Sequence, residues 1–457
     1  NIGGAFQDFF DISTDTIFVQ GTAWLMQQIH APNWLIAILA NGVGKGINTT
    51  LTFIPVIAAM FFFLSLLETS GYMARAAFVV DKIMRILGLP GKSFVPMIVG
   101  FGCNVPAIMA ARTLDSERDR LLTVMMSPFM SCSARLAIYA VFVAAFFPSG
   151  GQNIVFSLYL IGILMAVLTG FILRKSILKG HASPLILELP AYHRPSFQRL
   201  FKETLMRLRF FVLRAGKLII PICVLLGGLN AITLGGGLNE SEASTQSLLS
   251  IMGQWITPFF APMGIHQDNW PATVGLLTGM LAKEVVVGTL NSLYAQVGHL
   301  GEIAAAHFNF WAGIKAALWS IPQNLSQLGS ALVNPIFASA ADNPVSQSVY
   351  GIMAQQFDGK IGAYAYLLFV LLYIPCVSTM AVIRQEANKK YMWMSVVWSF
   401  LVAYVAAVGF YQTAKFIEYS PHSLLWSISG LMALLLVIGV HWYGRRHIRR
   451  QNVIANT

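Results

Sequence analysis

The residues with the most distinctive chemistry in this chain are thiols that interrupt apolar runs. Four cysteines, Cys103, Cys132, Cys223 and Cys376, lie far apart in apolar surroundings, with no CxxC spacing. That distribution does not suit a disulfide framework or a structural zinc site. Cys103 stands in "VGFGCNVPAIMAAR" (99–112), among Gly100, Gly102 and Pro106, with Asn104 beside it. Cys376 follows Pro375 in "YIPCVS". A thiol at a helix break, next to carbonyls released from the helical ladder, offers a passing cation a sulfur ligand. Sulfur suits copper(I), zinc and, less strongly, ferrous iron; it suits sodium, magnesium and calcium poorly. A single intramembrane cysteine is more often a small hydrophobe, so it is the shared placement at a break that singles out this pair.

Cys132, in "MMSPFMSCSARLAIYA", again lies near a proline, Pro128, with Met125, Met126 and Met130 close by. Three thioethers and a thiol form a soft-metal ladder or, more ordinarily, adaptable core filler. Cys223 sits in the plain run "IIPICVLLGG" and reads as structural. Glu68, Glu284 and Arg135 place charges within or at the ends of apolar runs. Such side chains are costly near a bilayer centre, face the interior and generally have a role. Glu284 is the better ligand candidate, because its neighbour Lys283 points about 100° away around a helix and pairs poorly with it. Glu68 ends its run and ranks second, while Arg135 is expected to pair with an acid or an exposed carbonyl. The candidate metal set is therefore Cys103, Cys376, Glu284, Glu68, Asn104 and Cys132.

The elements that must hold these residues are membrane helices. Of the 457 residues, 56% are hydrophobic and 11% charged, against roughly a quarter charged in a soluble domain. Apolar runs of about 20 residues, enough to span a bilayer, cover 46–67, 121–147 (with Arg135 inside it), 153–173, 218–234, 271–293 (broken by Lys283 and Glu284), 391–414 and 424–443. Runs 93–111 and 361–383 carry Gly, Pro and Cys near their middles. Such breaks are tolerated in lipid only where the freed backbone faces protein or water, so both read as broken or re-entrant. The net charge of +11 is concentrated, with ten Lys/Arg between Arg174 and Lys217 and four Arg in "GRRHIRRQN". By the positive-inside rule, 82–92, 112–120, 174–217, 384–390 and 445–450 are expected to be cytoplasmic. They all fall on one side if 93–111 and 361–383 each return to the side they entered. Anionic lipid suits these clusters better than nucleic acid.

A repeat emerges when "PMIVGFGCNVPAIMAARTLDSERDRLLTVMMSPFMS" (from 96) is set beside "FVLLYIPCVSTMAVIRQEANKKYMWMSVVWSFLV" (from 369). Interrupted segments at matching places in two halves point to a transport site at their interface. The charge assignment makes the halves parallel, although inverted pairs are commoner. The resulting fold class is an all-α, polytopic transmembrane bundle with two gate-type repeats. Its expected divisions are an outer juxtamembrane segment following a truncated first helix (1–50), a first repeat (51–173), a basic cytoplasmic connector (174–217), a second repeat (218–443) and a basic tail (444–457). Trp24 and Trp34 mark the first segment as interfacial; residues 295–345 suit either an interfacial helix or a shallow crossing.

"GLPGKS" (88–93) is not a P-loop, since Ile86 stands where the first Gly of G-x-x-x-x-G-K-[ST] belongs. No H-E-x-x-H or nucleophile elbow occurs, and the chain does not read as an enzyme. "LSLLETSGYMARAAFVVDKIM", "LGLPGKSFVPMIVGFGCNVPAIMAARTLDSERDRL", "MSPFMSCSARLAIYAVF" and "DNWPATVGLLTGMLAKEVVVGTLNSLY" resemble the membrane region of the bacterial ferrous iron transport protein B family. "NIGGAFQDFFD" resembles the junction just after that family's first membrane helix. The resemblance implies a ferrous-iron permease of the bacterial inner membrane, with cysteines of two gate motifs, here Cys103 and Cys376, lining the path; Cys132 in "MSCSARL" matches as well. It further implies gating by GTP through a GTPase domain that this sequence lacks, small cytoplasmic accessory proteins, and possible homo-oligomers. Another divalent metal, a nucleoside, and a non-transporting scaffold are the competing readings.

Overall fold

The structure, a computed structural model, describes residues 2–52, 54–86, 88–148, 150–178, 192–231, 248–281, 283, 285–297, 310–326 and 344–418. Glu284, the 424–443 run and the 445–450 cluster lie outside the described residues. The amino-terminal helices are α1 (Ile2–Thr14), α2 (Gly21–Gln28), α3 (Asn33–Ile36), α4 (Lys45–Thr52) and α5 (Ile54–Thr69). Then come α6 (Tyr72–Ile86), α7 (Phe94–Gly102), α8 (Asn104–Ala110), α9 (Glu117–Met126), α10 (Ser133–Phe146) and α11 (Gly151–Ser176). The middle holds α12 (Phe197–Ala231), α13 (Leu248–Phe260), α14 (Trp270–Leu281), α15 (Val285–Val297), α16 (Phe310–Ser326) and α17 (Pro344–Gln356). The chain continues through α18 (Gly359–Leu372), α19 (Val377–Ala387) and α20 (Lys389–Glu418).

The described residues contain no strand, and five helical stretches are long and apolar enough to cross a membrane. These are Ile38–Thr69, Glu117–Phe146, Gly151–Ser176, Gly359–Ala387 and Lys389–Phe416. They contain or overlap the expected spans 46–67, 121–147, 153–173 and 391–414. The 271–293 run instead divides into α14 and α15, of 12 and 13 residues. At 1.5 Å per residue each of these reaches only about 20 Å, short of a bilayer.

The chain forms two compact units. One comprises residues 1–67, 194–259 and 265–356; the other comprises 68–193, 260–264 and 357–457. In the first, α12 packs on α4 and on the wide π-helical turns Ala37–Gly44, and α1 packs on α16. Gly46 lies against Ile220 and Cys223 of α12, and Cys223 is buried there as a packing residue. Trp24, Trp311 and Trp319 are exposed.

The second unit contains two hairpins of one design. In one, α9 and α10 form a crossing broken at 127–132, and α11 runs back along it. Gly151 meets Val143, Gly162 meets Phe129 and Gly170 meets Met126. In the other, α18 and α19 form a crossing broken at 373–376, and α20 runs back along it. Ile383 lies near Met392, Phe369 against Phe400, and Tyr364 against Phe410. Each break holds a proline, Pro128 or Pro375, and each return turn holds a residue with positive φ, Gly150 (80°) or Asn388 (105°). Helix α18 is buried from Ala365 to Leu372, as suits an apolar helix surrounded by others; its Tyr366 stacks on Phe142 of α10 at 4.8 Å.

These contacts correct two expectations. First, 361–383 does not return to the side it entered: α20 flanks α18 and α19 end to end, so the run crosses once. Second, the structural counterpart of the Cys376 break is the Cys132 break, not the Cys103 break. Arg112 and Glu386 pair at one end of the unit; α9–α10 departs from that end and α18–α19 arrives at it. The two broken crossings therefore run in opposite senses and form an inverted pair, the commoner transporter design. The sequence comparison aligned Cys103 with Cys376 because local composition carries no record of chain direction.

Candidate functional site

Cys103, Cys132 and Cys376 each occupy the residue immediately before a helix, with extended φ/ψ, at the heads of α8, α10 and α19. The chain folds this way locally because Gly and Pro weaken or remove ladder hydrogen bonds at each break. Pro375, having no N–H, cannot satisfy the carbonyl of Leu371 four residues back.

The three breaks meet in the second unit. Ser133, next to Cys132, donates from Oγ to Gly102 O at 3.3 Å, which brings the Cys103 break alongside the Cys132 break. Tyr373 lies within electrostatic reach of Cys132, Cys376 and Arg135. A methyl group placed on Gly162 of α11 would stand 2.9 Å from Phe129 O and 3.3 Å from Leu371 Cδ1. Both crossing breaks thus lie at one depth. Helix α11 is 26 residues long, about 39 Å, and Gly162 is about 17 Å along it, near the level of a bilayer midplane.

Side chains hold much of this loosened backbone. Arg135 is fully buried and donates from Nη1 to Pro128 O and Met130 O, both at 2.9 Å. It therefore pairs with exposed carbonyls, one of its two expected roles. Asn104 is buried, and with its amide nitrogen facing the adjacent carbonyls it donates to Ser127 O (3.0 Å) and Gly100 O (3.2 Å). Its nitrogen thus ties the Cys103 turn to the Cys132 break. Cys376 Sγ lies 3.0 Å from Thr379 Oγ1. Ser131 Oγ donates to Tyr139 Oη at 3.0 Å. Met125, Met126 and Met130 are buried, and Met126 packs against Gly170, so they serve as core filler.

The structure brings together Cys103, Asn104, Cys132 and Cys376. Glu68 is exposed at the carboxyl end of α5. Among the described residues no group of three or more His, Cys, Asp and Glu is placed to hold a metal ion. The donors that these breaks offer are sulfur, hydroxyls and freed carbonyls, a set of few and mostly weak ones. Reasoning from sequence missed the 127–132 break, Gly162, Tyr373 and Thr379. Pro128 followed by "SCS" was the available signal for the first; for Gly162 there was none, because its importance lies in what it touches.

At the paired end, Arg112 Nε donates to Glu386 Oε2 at 2.5 Å and Nη2 donates to Oε1. This hydrogen bonding pushes the Arg112 pKa up from its ordinary value. Arg118 donates to Leu178 O (3.0 Å) and Gly88 O (3.5 Å), and Lys92 pairs with Asp115 (2.9 Å). Parts of the basic stretches 82–92, 112–120 and 174–217, together with 384–390, so gather at one end, which the positive-inside rule assigns to the cytoplasm.

An inverted pair of broken membrane helices, with their breaks at a common depth, defines the class as a transporter-type helical membrane protein. The chain belongs to the Gate family, described as nucleoside recognition, whose model matches residues 50–146 and 212–390. A second model, ferrous iron transport protein B C terminus, matches 155–207. The chain is 80% identical over 457 residues to the Fe(2+) transporter FeoB of Legionella pneumophila strain Philadelphia 1, covering all of this chain and 61% of that protein. It is 49% identical over 443 residues to the Fe(2+) transporter FeoB of Escherichia coli strain K12, covering 96% of this chain and 57% of that protein. The chain thus spans about three-fifths of the length of these relatives. No solved structure matches it significantly.

Proposed function

We propose that this chain is the permease core for ferrous iron in the bacterial cytoplasmic membrane. The observation that carries the reading is that Cys103, Cys132 and Cys376 each stand at a helix break within one unit. The iron would meet sulfur ligands and released carbonyls, the Leu371 and Leu372 carbonyls beside Pro375 among them. Sulfur favours ferrous iron over sodium, magnesium or calcium, and a path with few ligands lets the ion leave again. The relatives, Fe(2+) transporters by name, support the same substrate. Gating by GTP, through a domain in the part of the relatives that this chain does not span, and small cytoplasmic accessory proteins belong to the same proposal.

Vesicles carrying the full-length protein should take up radioactive ferrous iron when supplied with GTP, and the Cys103→Ser/Cys376→Ser double variant should lose most of that uptake. Unchanged uptake by the double variant overturns the sulfur-ligand mechanism, and no uptake above empty vesicles by the wild type overturns the permease itself. The description of the Gate model as nucleoside recognition favours a second reading, transport of a nucleoside. Saturable uptake of labelled nucleoside, unaffected by iron, would establish that reading instead.

A further inference from the structure

The 127–132 break needs only one edge of the Arg135 guanidinium. Nη1 holds Pro128 O and Met130 O, while Nε and Nη2 have no partner among the described residues. Nε and Nη2 together form the side-on fork with which arginine grips carboxylates. Among the described residues no carboxylate forms an ion pair with it. The side chain is fully buried, and a guanidinium does not give up its proton in a protein. Among the described residues, then, this permanent positive charge, one helical turn from Cys132, has no carboxylate to compensate it. Its field reaches Tyr139, Tyr159 and Tyr373, and Tyr373 in turn lies within reach of Cys132 and Cys376.

We propose that Arg135 is a specificity-determining residue of the path, whose fixed charge bars protons and alkali cations while sulfur ligands carry a thiophilic divalent ion past it. The inference rests on the permease reading above. Two like unit charges about 6 Å apart at an effective dielectric of about 20 disfavour each other on the order of a hundredfold. An alkali ion gains nothing from sulfur to offset this, and a thiol that already carries its proton does not take up another; a divalent thiophilic ion, though repelled about twice as strongly, has sulfur ligation to set against the repulsion. A single arginine excludes protons and cations from other membrane pores in the same way. A role confined to bracing the break accounts for Nη1 and leaves the open fork without a purpose.

The test uses full-length protein in liposomes, reading proton influx with a pH-sensitive dye under a potassium diffusion potential and ferrous uptake in the same preparation. Arg135→Gln keeps an amide donor for the carbonyls and removes the charge; it should raise proton influx about tenfold or more, whereas Arg135→Lys, which keeps the charge, should stay within about twofold of wild type. Equal leaks in the two variants would make the residue a brace only and overturn the inference, as would a tight Arg135→Gln variant that still moves iron. Should Arg135→Gln fail to fold, Ser131→Asp decides: it places a carboxylate in the break that Arg135 braces, with the arginine intact. A leak in that folded variant supports the inference, and a tight one overturns it. Absence of iron uptake by the wild type is a separate outcome, which removes the permease reading first.

Discussion

The two breaks of the inverted pair share a plan and differ in how their backbone is satisfied. At 127–132, Arg135 takes the carbonyls of Pro128 and Met130, and Asn104 takes that of Ser127. At 373–376, Tyr373 N donates to Phe369 O and Met380 N to Cys376 O, but among the described residues no donor reaches the carbonyls of Leu371, Leu372, Ile374 or Pro375. A buried carbonyl without a donor costs about 1–3 kcal/mol, and such groups persist where a ligand or water supplies what the protein withholds. The first break is thus braced by side chains, and among the described residues the second is not. Symmetry of fold has not produced symmetry of role.

If the difference holds, the two cysteines are unequal. Cys376→Ser should lower ferrous uptake about tenfold or more, because it removes the sulfur from the break with open carbonyls. Cys132→Ser should lower it only a few-fold, on the scale of one weak ligand among several. Uptake of radioactive iron by vesicles with matched protein content measures both. Equal losses would mean that both breaks coordinate, and that the bracing of the first is incidental.

The next test strikes both breaks at once. Gly162 is the point on α11 that Phe129 O and Leu371 approach together, and a methyl there would lie 2.9 Å from a backbone oxygen. Gly162→Ala should cost about 1–3 kcal/mol through overpacking, visible as a lower melting temperature. Asn104→Leu, which leaves the carbonyls of Ser127 and Gly100 without their donor, should cost a similar ~1–3 kcal/mol. Iron uptake by the fraction that remains folded sharpens the comparison. Asn104→Leu should spare uptake more than Gly162→Ala does, because the hydrogen bonds of Asn104 reach the Cys103 turn and the braced break but not the break at 373–376.

How much of this was legible in the sequence follows from what each feature depends on. The spans 46–67, 121–147, 153–173 and 391–414 were legible because they need only apolar composition over about 20 residues. The breaks at Cys103 and Cys376 were legible because Gly and Pro disrupt helices locally. The break at 127–132 was not separated from the span 121–147, although Arg135 was expected to pair with an acid or an exposed carbonyl, and the carbonyls it holds are those of the break. The direction of the repeat was not legible. A helix–proline–cysteine–helix pattern reads alike whichever way it crosses, and only contacts such as Phe142 with Tyr366 reveal the opposed senses. The aligned pair was therefore Cys103 and Cys376, chosen on flanking composition, where the folded molecule matches Cys132 with Cys376.

The smallest effect belongs to the pair that joins the ends of α8 and α19. Arg112 and Glu386 bind each other through two hydrogen bonds, yet the arginine side chain is half exposed, at 49%. An exposed ion pair contributes about 0–1 kcal/mol, and screening by salt reduces it further. Arg112→Gln should therefore lower the melting temperature slightly at low ionic strength and not measurably at about 0.5 M salt, where the Debye length is only a few ångströms. Iron uptake should barely change, since the apolar contacts of Ile108, Ala111 and Val124 with Ile383 remain and both breaks lie several turns away. A large loss of uptake in a variant that melts normally would show the paired end to be part of the gate. The contrast that matters would then lie between the two ends of the crossings and not between their two breaks.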